Sequence, residues 1–231
     1  VNTIRDNVLR VRERVAATLA RAGRGPAAAT IVAVTKTFDA DTVRAIVEAG
    51  VTDIGENRVQ EMLTKVPLLG DTCRWHLVGP LQRNKAGKAL DVVHLFHGIE
   101  DVRTAAALDR LAGERGMRAR VLLEVNTSRE TSKHGVNPES APGVAEQIAS
   151  LPHTDWLGLM TIGPLDAGPA STRECFRHLA AIASDLRSRT GLALPELSMG
   201  MSDDFEVALE EGATLVRLGR VIGGDRSAPG G

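Results

Sequence analysis

"IVAVTKTFDA", residues 31–40, decides how the chain is read. Ile31 to Val34 is a short β-branched apolar run, the composition of a buried strand. Lys36 follows at once, and Asp39 or Asp41 is placed to cap a helix that Gly50 would end. A buried strand, a polar residue at its carboxyl end and a capped helix make one β/α unit. Side chains alternate along a strand, so Val32, Val34 and Lys36 share one side. A lysine on that side is either a desolvated amine, whose neutral form attacks carbonyls, or a snorkelling side chain with its head in water. The residues alone leave both open.

The unit repeats along the chain. Apolar runs stand at 30–34, 51–54, 74–78, 92–97, 119–125, 154–160, 194–198 and 213–218. Helical stretches such as 39–49, 101–115, 139–150 and 171–187 lie between them, and the helices after the third and seventh runs are the least defined. Regular alternation of strand and helix predicts a parallel sheet. Eight units in 231 residues predict an α/β, single-domain (β/α)8 TIM barrel over 1–225, with a doubly wound sheet as the competing architecture. Ile4, Val8, Val11, Val15 and Leu19 fall on one face, which predicts an extra amino-terminal helix. "RSAPGG", 226–231, reads as a disordered tail. Lys36, Glu56, Asn57, His76, Gly79, His97, Asn126, Met160, Thr161, Ser198 to Ser202, Arg217 and Gly219 all fall at or after a strand's carboxyl end. A barrel gathers those ends on one face, the face where sites are built, whereas a doubly wound sheet gathers only those near its switch point.

Bulk properties narrow the function. The formal net charge is −1, which gives no global field to attract nucleic acid or an anionic membrane. No apolar run approaches the ~20 residues of a bilayer-spanning helix. The two cysteines, Cys73 and Cys175, fit a reducing cytoplasm better than a disulfide framework, and no CxxC or zinc spacing is present. The chain has no tyrosine.

Two segments suggest an anion site. In "GATLVRLGRVIGG", 212–224, Arg217 ends the eighth strand and Gly219, Gly223 and Gly224 follow. Glycines let backbone amides approach an anion, and the loop after the eighth strand is a common phosphate position in barrels. In "LSMGMSDDFEVALEEG", 197–212, Ser202 reads as the N-cap of a helix beginning near Asp203, a place for phosphate or a simple cap. A carbonyl-seeking lysine, a phosphate cradle and an arginine together suggest pyridoxal phosphate. An arginine at the pyridine nitrogen disfavours ring protonation and makes the cofactor a poor carbanion stabiliser. A barrel-mouth ion pair between Arg217 and Glu56 is the alternative reading of that arginine.

With these segments in hand, the chain resembles the YggS/PROSC group of pyridoxal-phosphate homeostasis proteins. The resemblance runs through "AVTKTFDADTVRAIVEAG", "IGENRVQEMLTK", "WHLVGPLQRNK", "EVNTSRETSKHGV", "GLMTIGP" and "LSMGMSDDFEVALEEGATLVRLGRVIGG", in that order. It implies a barrel like the amino-terminal domain of alanine racemase, with pyridoxal 5'-phosphate held as an imine on Lys36 and Arg217 by the ring nitrogen. The site expected on this basis comprises Lys36, Asn57, His76, Ser198, Met199, Gly200, Ser202, Arg217, Gly219 and Arg220, with no catalytic residue and no metal. It also implies a non-catalytic role: the protein binds the cofactor, buffers it and supplies it to pyridoxal-phosphate-dependent apo-enzymes. A monomer is expected. Three positions depart from the pattern. Arg58 stands where the group usually has tyrosine, Arg220 where it commonly has a phosphate-binding threonine, and Ile222-Gly223-Gly224 replaces the usual "IFG".

Two enzyme readings compete. A racemase would need a second acid–base group opposite the lysine, and without tyrosine a histidine such as His76 or His97 would have to serve. A Schiff-base aldolase would use Lys36 without an aromatic cofactor. The loops "LQRNKAGK", with Arg83, Lys85 and Lys88, and "RETSKHG", with Arg129, Lys133 and His134, are expected to rim the mouth and either steer an anionic cofactor or simply face solvent. Lys133 is a candidate for a transient imine during hand-off.

Overall fold

The computed structural model describes residues 3–165 and 167–224, so the expected tail at 226–231 lies outside the described residues. Its elements in chain order are α1 (Ile4–Arg21), β1 (Thr30–Val34), α2 (Ala40–Glu48), β2 (Asp53–Glu56), α3 (Val59–Leu69), β3 (Arg74–Pro80), α4 (Ala86–Leu90), β4 (Val93–Ile99), α5 (Val102–Glu114), β5 (Ala119–Glu124), α6 (Ala141–Ala149), β6 (Thr154–Met160), α7 (Pro169–Thr190), β7 (Glu196–Ser198), α8 (Phe205–Glu210), β8 (Leu215–Leu218) and α9 (Arg220–Gly223). The eight strands are all parallel, each pairs with the next, and β8 returns to β1 with Val32 opposite Arg217. The result is a closed (β/α)8 barrel.

The local chemistry matches the elements. Asp39 Oδ1 accepts from the Thr42 amide at 2.8 Å and so caps α2. Val8, Val11, Val15 and Leu19 of α1 are buried, as their spacing predicts. α1 packs against α2, α8 and α9. Because α9 has only four residues, α1 fills the eighth place in the outer helical ring. The two helices with the weakest sequence signal, after the third and seventh strands, are α4 and α8, with five and six residues.

Some boundaries differ from the sequence expectation. β3 and β4 run on past their apolar runs at 74–78 and 92–97, through Gly79 and Gly98. A Cβ on Gly79 would stand 2.5 Å from the Asn57 carbonyl oxygen, so this glycine marks a close approach of neighbouring backbones. β2 begins at Asp53, two residues late, after the chain has turned out of α2 through Gly50 at φ 96°. In β6 the pairing with β5 shifts between Val121 and Leu122, so Leu157 is an extra residue and Gly158 takes φ 152°. This is a β-bulge, and it turns Leu157 towards the inner cluster.

Alternation divides the apolar residues between two cores. Val32, Val78, Leu95, Leu122, Met160 and Leu215 fill the barrel interior, with Val34, Leu157 and Ile162 partly buried beside them. Ala33, Ile54, Leu77, Phe96, Leu123 and Val216 face the helices.

Candidate active cavity

At the carboxyl ends of the strands the barrel opens into a cavity of about 420 Å³. Lys36, Asn57, Ser202, Arg217, Gly219 and Arg220 from the sequence-derived set line it. Lys36 lies in the turn after β1, on the side set by Val32 and Val34. Thr37 beside it takes φ 71°, a conformation rare for a β-branched residue. Its amide donates to Glu61 Oε1 at 2.6 Å, which fixes that turn. Val34, Val78, Met160 and Ile162 supply apolar walls.

Four residues of the expected set lie elsewhere. Met199 is fully buried in the core between strands and helices. Gly200, at φ 92°, faces α8, where a Cβ would stand 2.5 Å from that of Ala208. His76 and Ser198 sit beneath the cavity rather than in its wall, because they belong to the barrel interior one layer down. Ser202 does not cap a helix. α8 begins at Phe205, and the turn before it is closed by Asp204 Oδ1, which accepts from the Met201 amide at 2.5 Å. Arg217 does not pair with Glu56, which is bound instead to Lys65 at 2.7 Å and Thr35 at 2.6 Å.

His76 and Ser198 belong to a hydrogen-bonded chain through the barrel. Asp53 Oδ1 contacts His76 Nε2 at 2.9 Å, and His76 Nδ1 contacts His97 Nε2 at 2.9 Å. His97 Nδ1 contacts Ser198 Oγ at 2.8 Å, and Arg217 Nη1 donates to Ser198 Oγ at 2.7 Å. A guanidinium only donates and a carboxylate only accepts, so the ends fix the direction. With both imidazoles neutral, Arg217 donates to Ser198, Ser198 to His97, His97 to His76 and His76 to Asp53. Burial holds His97 well below the usual imidazole range, with the Arg217 charge acting the same way, which keeps it neutral. Arg74 closes the far end on Asp53 at 2.7 Å. Arg217 Nη2 also donates to the Thr161 carbonyl at 2.8 Å. The guanidinium is thus clamped on two sides, and its remaining N–H groups are available to a bound molecule. Burial lowers its pKa to about 10, so it stays cationic at neutral pH.

The rim is more tied down than its sequence suggests. Arg220 pairs with Asp203 across the cavity lip. Arg129 pairs with Glu139 at 2.8 Å. Lys133 pairs with Glu130 and donates to the Gly163 carbonyl, and it is not in the cavity wall. His134 does line the cavity and meets Glu100 at 2.9 Å. Asn126 orders its own loop, donating to the Glu130 carbonyl at 2.9 Å. Lys85 stands beside Asn57 and Arg58 in a neighbouring groove.

Glu124, at the end of β5, is the cavity residue the sequence reading missed. The signal was present: alternation puts it on the same side as Leu122, which is inside the barrel. Asn126, two residues on, is the more conspicuous polar residue at that strand end.

The chain belongs to the alanine racemase, N-terminal domain family, whose model matches residues 2–227. The pyridoxal phosphate homeostasis protein of Aquifex aeolicus is 40% identical over 222 residues, 96% of this chain and 97% of that protein. The protein of the same name from Escherichia coli K12 is 34% identical, with 98% of each chain covered. Among solved structures, PipY of Synechococcus elongatus with PLP bound matches at TM-score 0.81 and 35% identity, covering 92% of this chain and 99% of PipY. An alanine racemase of Clostridium difficile in complex with cycloserine matches at TM-score 0.75 and 14% identity over 94% of this chain and 59% of its own, a likeness of fold.

Proposed function

We propose that the chain binds pyridoxal 5'-phosphate on Lys36 and holds it for release to other proteins, without turnover of its own. The observation that carries this reading is the placing of Lys36 and a clamped, cationic Arg217 in one cavity at the barrel mouth. The residues suit such a ligand. Apolar walls from Val34, Val78 and Met160 can sandwich an aromatic ring, and Ser202, Gly219 and Arg220 gather on one lip, where an anion would sit. When bound, the cofactor supplies an aldehyde that condenses with amines. Arg217 would donate to a ring nitrogen, which would leave that nitrogen without a proton of its own. Arg220 is held by Asp203, so a phosphate competes with that carboxylate for it. Gly219 leaves open the space a side chain would fill, since a Cβ there would stand 3.3 Å from the Val34 carbonyl oxygen.

The names of the relatives support the same reading, as does the PLP in PipY. A monomer in the cytoplasm that serves apo-enzymes is the setting we propose. Among the described residues no helix is long and apolar enough to cross a membrane. The competing reading is a racemase-like enzyme. Incubation of the loaded protein with L-alanine in deuterium oxide separates the two. A carrier leaves the α-proton in place, and rapid α-deuteration or D-alanine formation overturns the carrier reading.

A further inference from the structure

Glu124 is an ionisable side chain of the cavity for which the proposed function has no use yet; the other, His134, already meets Glu100 at 2.9 Å. Its residue is 3% exposed, yet it forms part of the cavity wall. Two glycines make room for it. A Cβ on Gly98 would stand 3.3 Å from Glu124 Oε2, and one on Gly135 would stand 3.0 Å from its Cγ. Among the described residues the charges that act on its carboxyl group are those of Arg217, Glu100 and His134. Its strand is four places around the eight-stranded barrel from β1, so the carboxyl stands across the mouth from Lys36.

A buried carboxylate without a bonded cation is costly, and a small cation that can donate hydrogen bonds relieves that cost. The ammonium form of a primary amine is such a cation. It is also the form in which amines exist near neutral pH, when they cannot attack a carbon. Resting on the proposed function above, we propose that Glu124 is the proton acceptor for an incoming primary amine, so that the cofactor leaves Lys36 by exchange onto that amine. The ammonium gives one proton to the Glu124 carboxylate and becomes a neutral nucleophile. Its nitrogen bonds to the carbon of the protonated Lys36 imine and hands a second proton to Nζ; the bond from that carbon to Nζ then breaks, leaving the carbon double-bonded to the incoming nitrogen, and Glu124 returns its proton to the released Lys36 amine. No oxidant or reductant is required, and Glu124 ends as it began.

The surroundings suit a group that must both take and give a proton. Burial lifts the Glu124 carboxyl to about 7, with Arg217 of β8 opposing and Glu100 after β4 reinforcing the shift, and His134 of the following loop opposing it. From β6 the neighbour is Met160, which carries no charge.

The test loads the protein with pyridoxal phosphate, removes free cofactor and adds glycine or methylamine across a pH series. The loss of the lysine imine band is followed in wild type, Glu124→Gln and Glu124→Asp. In wild type the rate should rise with amine concentration and should bend as Glu124 ionises. Glu124→Gln should exchange at least ten-fold more slowly and lose the bend, and Glu124→Asp should recover part of both. A Gln variant with the wild-type rate and pH profile overturns the proposal. So does a wild-type release rate that ignores amine, because water is then the nucleophile. That second result needs no variant to fold. Absence of any imine band in wild type would overturn the function itself, whereas a band with amine-independent release would overturn only the role of Glu124.

Discussion

At the scale of single residues, the buried lysine of this chain is Lys65, not Lys36. Its side chain is 6% exposed, and its Nζ meets Glu56 at 2.7 Å, Glu61 at 2.9 Å and the Thr35 carbonyl at 2.9 Å. Burial pushes the Glu56 carboxyl up, and hydrogen bonds from Lys65 and Thr35 oppose that. Removing one partner of a buried pair strands the other, so Lys65→Met should cost about 3–5 kcal/mol in urea unfolding. The same cluster braces residues 35–37, so the variant should also load cofactor less completely, read from the imine band. Glu124 gives a second residue-scale expectation. Its folded pKa, about 7, lies above the unfolded carboxyl value, so the folded state binds the extra proton and wild type loses this contribution as pH rises through that window. Glu124→Gln removes the loss. Relative to wild type, the variant should gain stability from about pH 4.5 to above 7, by roughly 3 kcal/mol. A difference that is flat with pH would contradict the assignment.

Elements decide what the sequence made legible. β1 and β6 are where their apolar runs place them, and α2 starts at its Asp39 cap, because local composition alone specifies them. The ends of β3 and β4 were not legible, because Gly79 and Gly98 act through neighbouring strands that lie far apart in sequence. The cavity was legible where a strand end carries a polar residue that points in, as with Lys36 and Arg217. It was not legible where direction depends on a turn, as at Met199 and Gly200, or on long-range pairing, as for His76, His97 and Ser198. Two expectations belong at this scale. Gly158→Ala places a Cβ 1.9 Å from the Glu196 carbonyl oxygen, and backbone must move to relieve it. It should lower the thermal midpoint severely, whereas alanine at Gly143, where a Cβ meets nothing within 4 Å, should not. Ser198→Ala breaks the chain between His97 and Arg217 and leaves His97 Nδ1 unsatisfied. It should cost about 1–3 kcal/mol and weaken cofactor retention, measured by equilibrium dialysis.

For the whole molecule, the barrel and its helical ring keep the cavity's parts in register. Lys36 follows β1, Arg217 belongs to the adjacent β8 and Glu124 to β5 across the ring, and closure of β8 on β1 sets Arg217 opposite Val32 in the stave that leads into the Lys36 turn. Closure is backed by α1 through buried Val11 and Leu19 and through Asn7, which donates to the Ile222 carbonyl at 2.9 Å. Leu19→Ala should therefore cost about 2–5 kcal/mol, and α9, which follows the strand carrying Arg217, should lose amide-exchange protection with it. The account's central claim is that Lys36 is the amine that holds the cofactor. Borohydride reduction of the loaded protein, followed by peptide mass analysis, tests it most directly. The account predicts a pyridoxyl-phosphate mass on the peptide that contains Lys36, and none on it in Lys36→Ala. A label on Lys133 or on Lys65 instead, or no stable label at all, would contradict it.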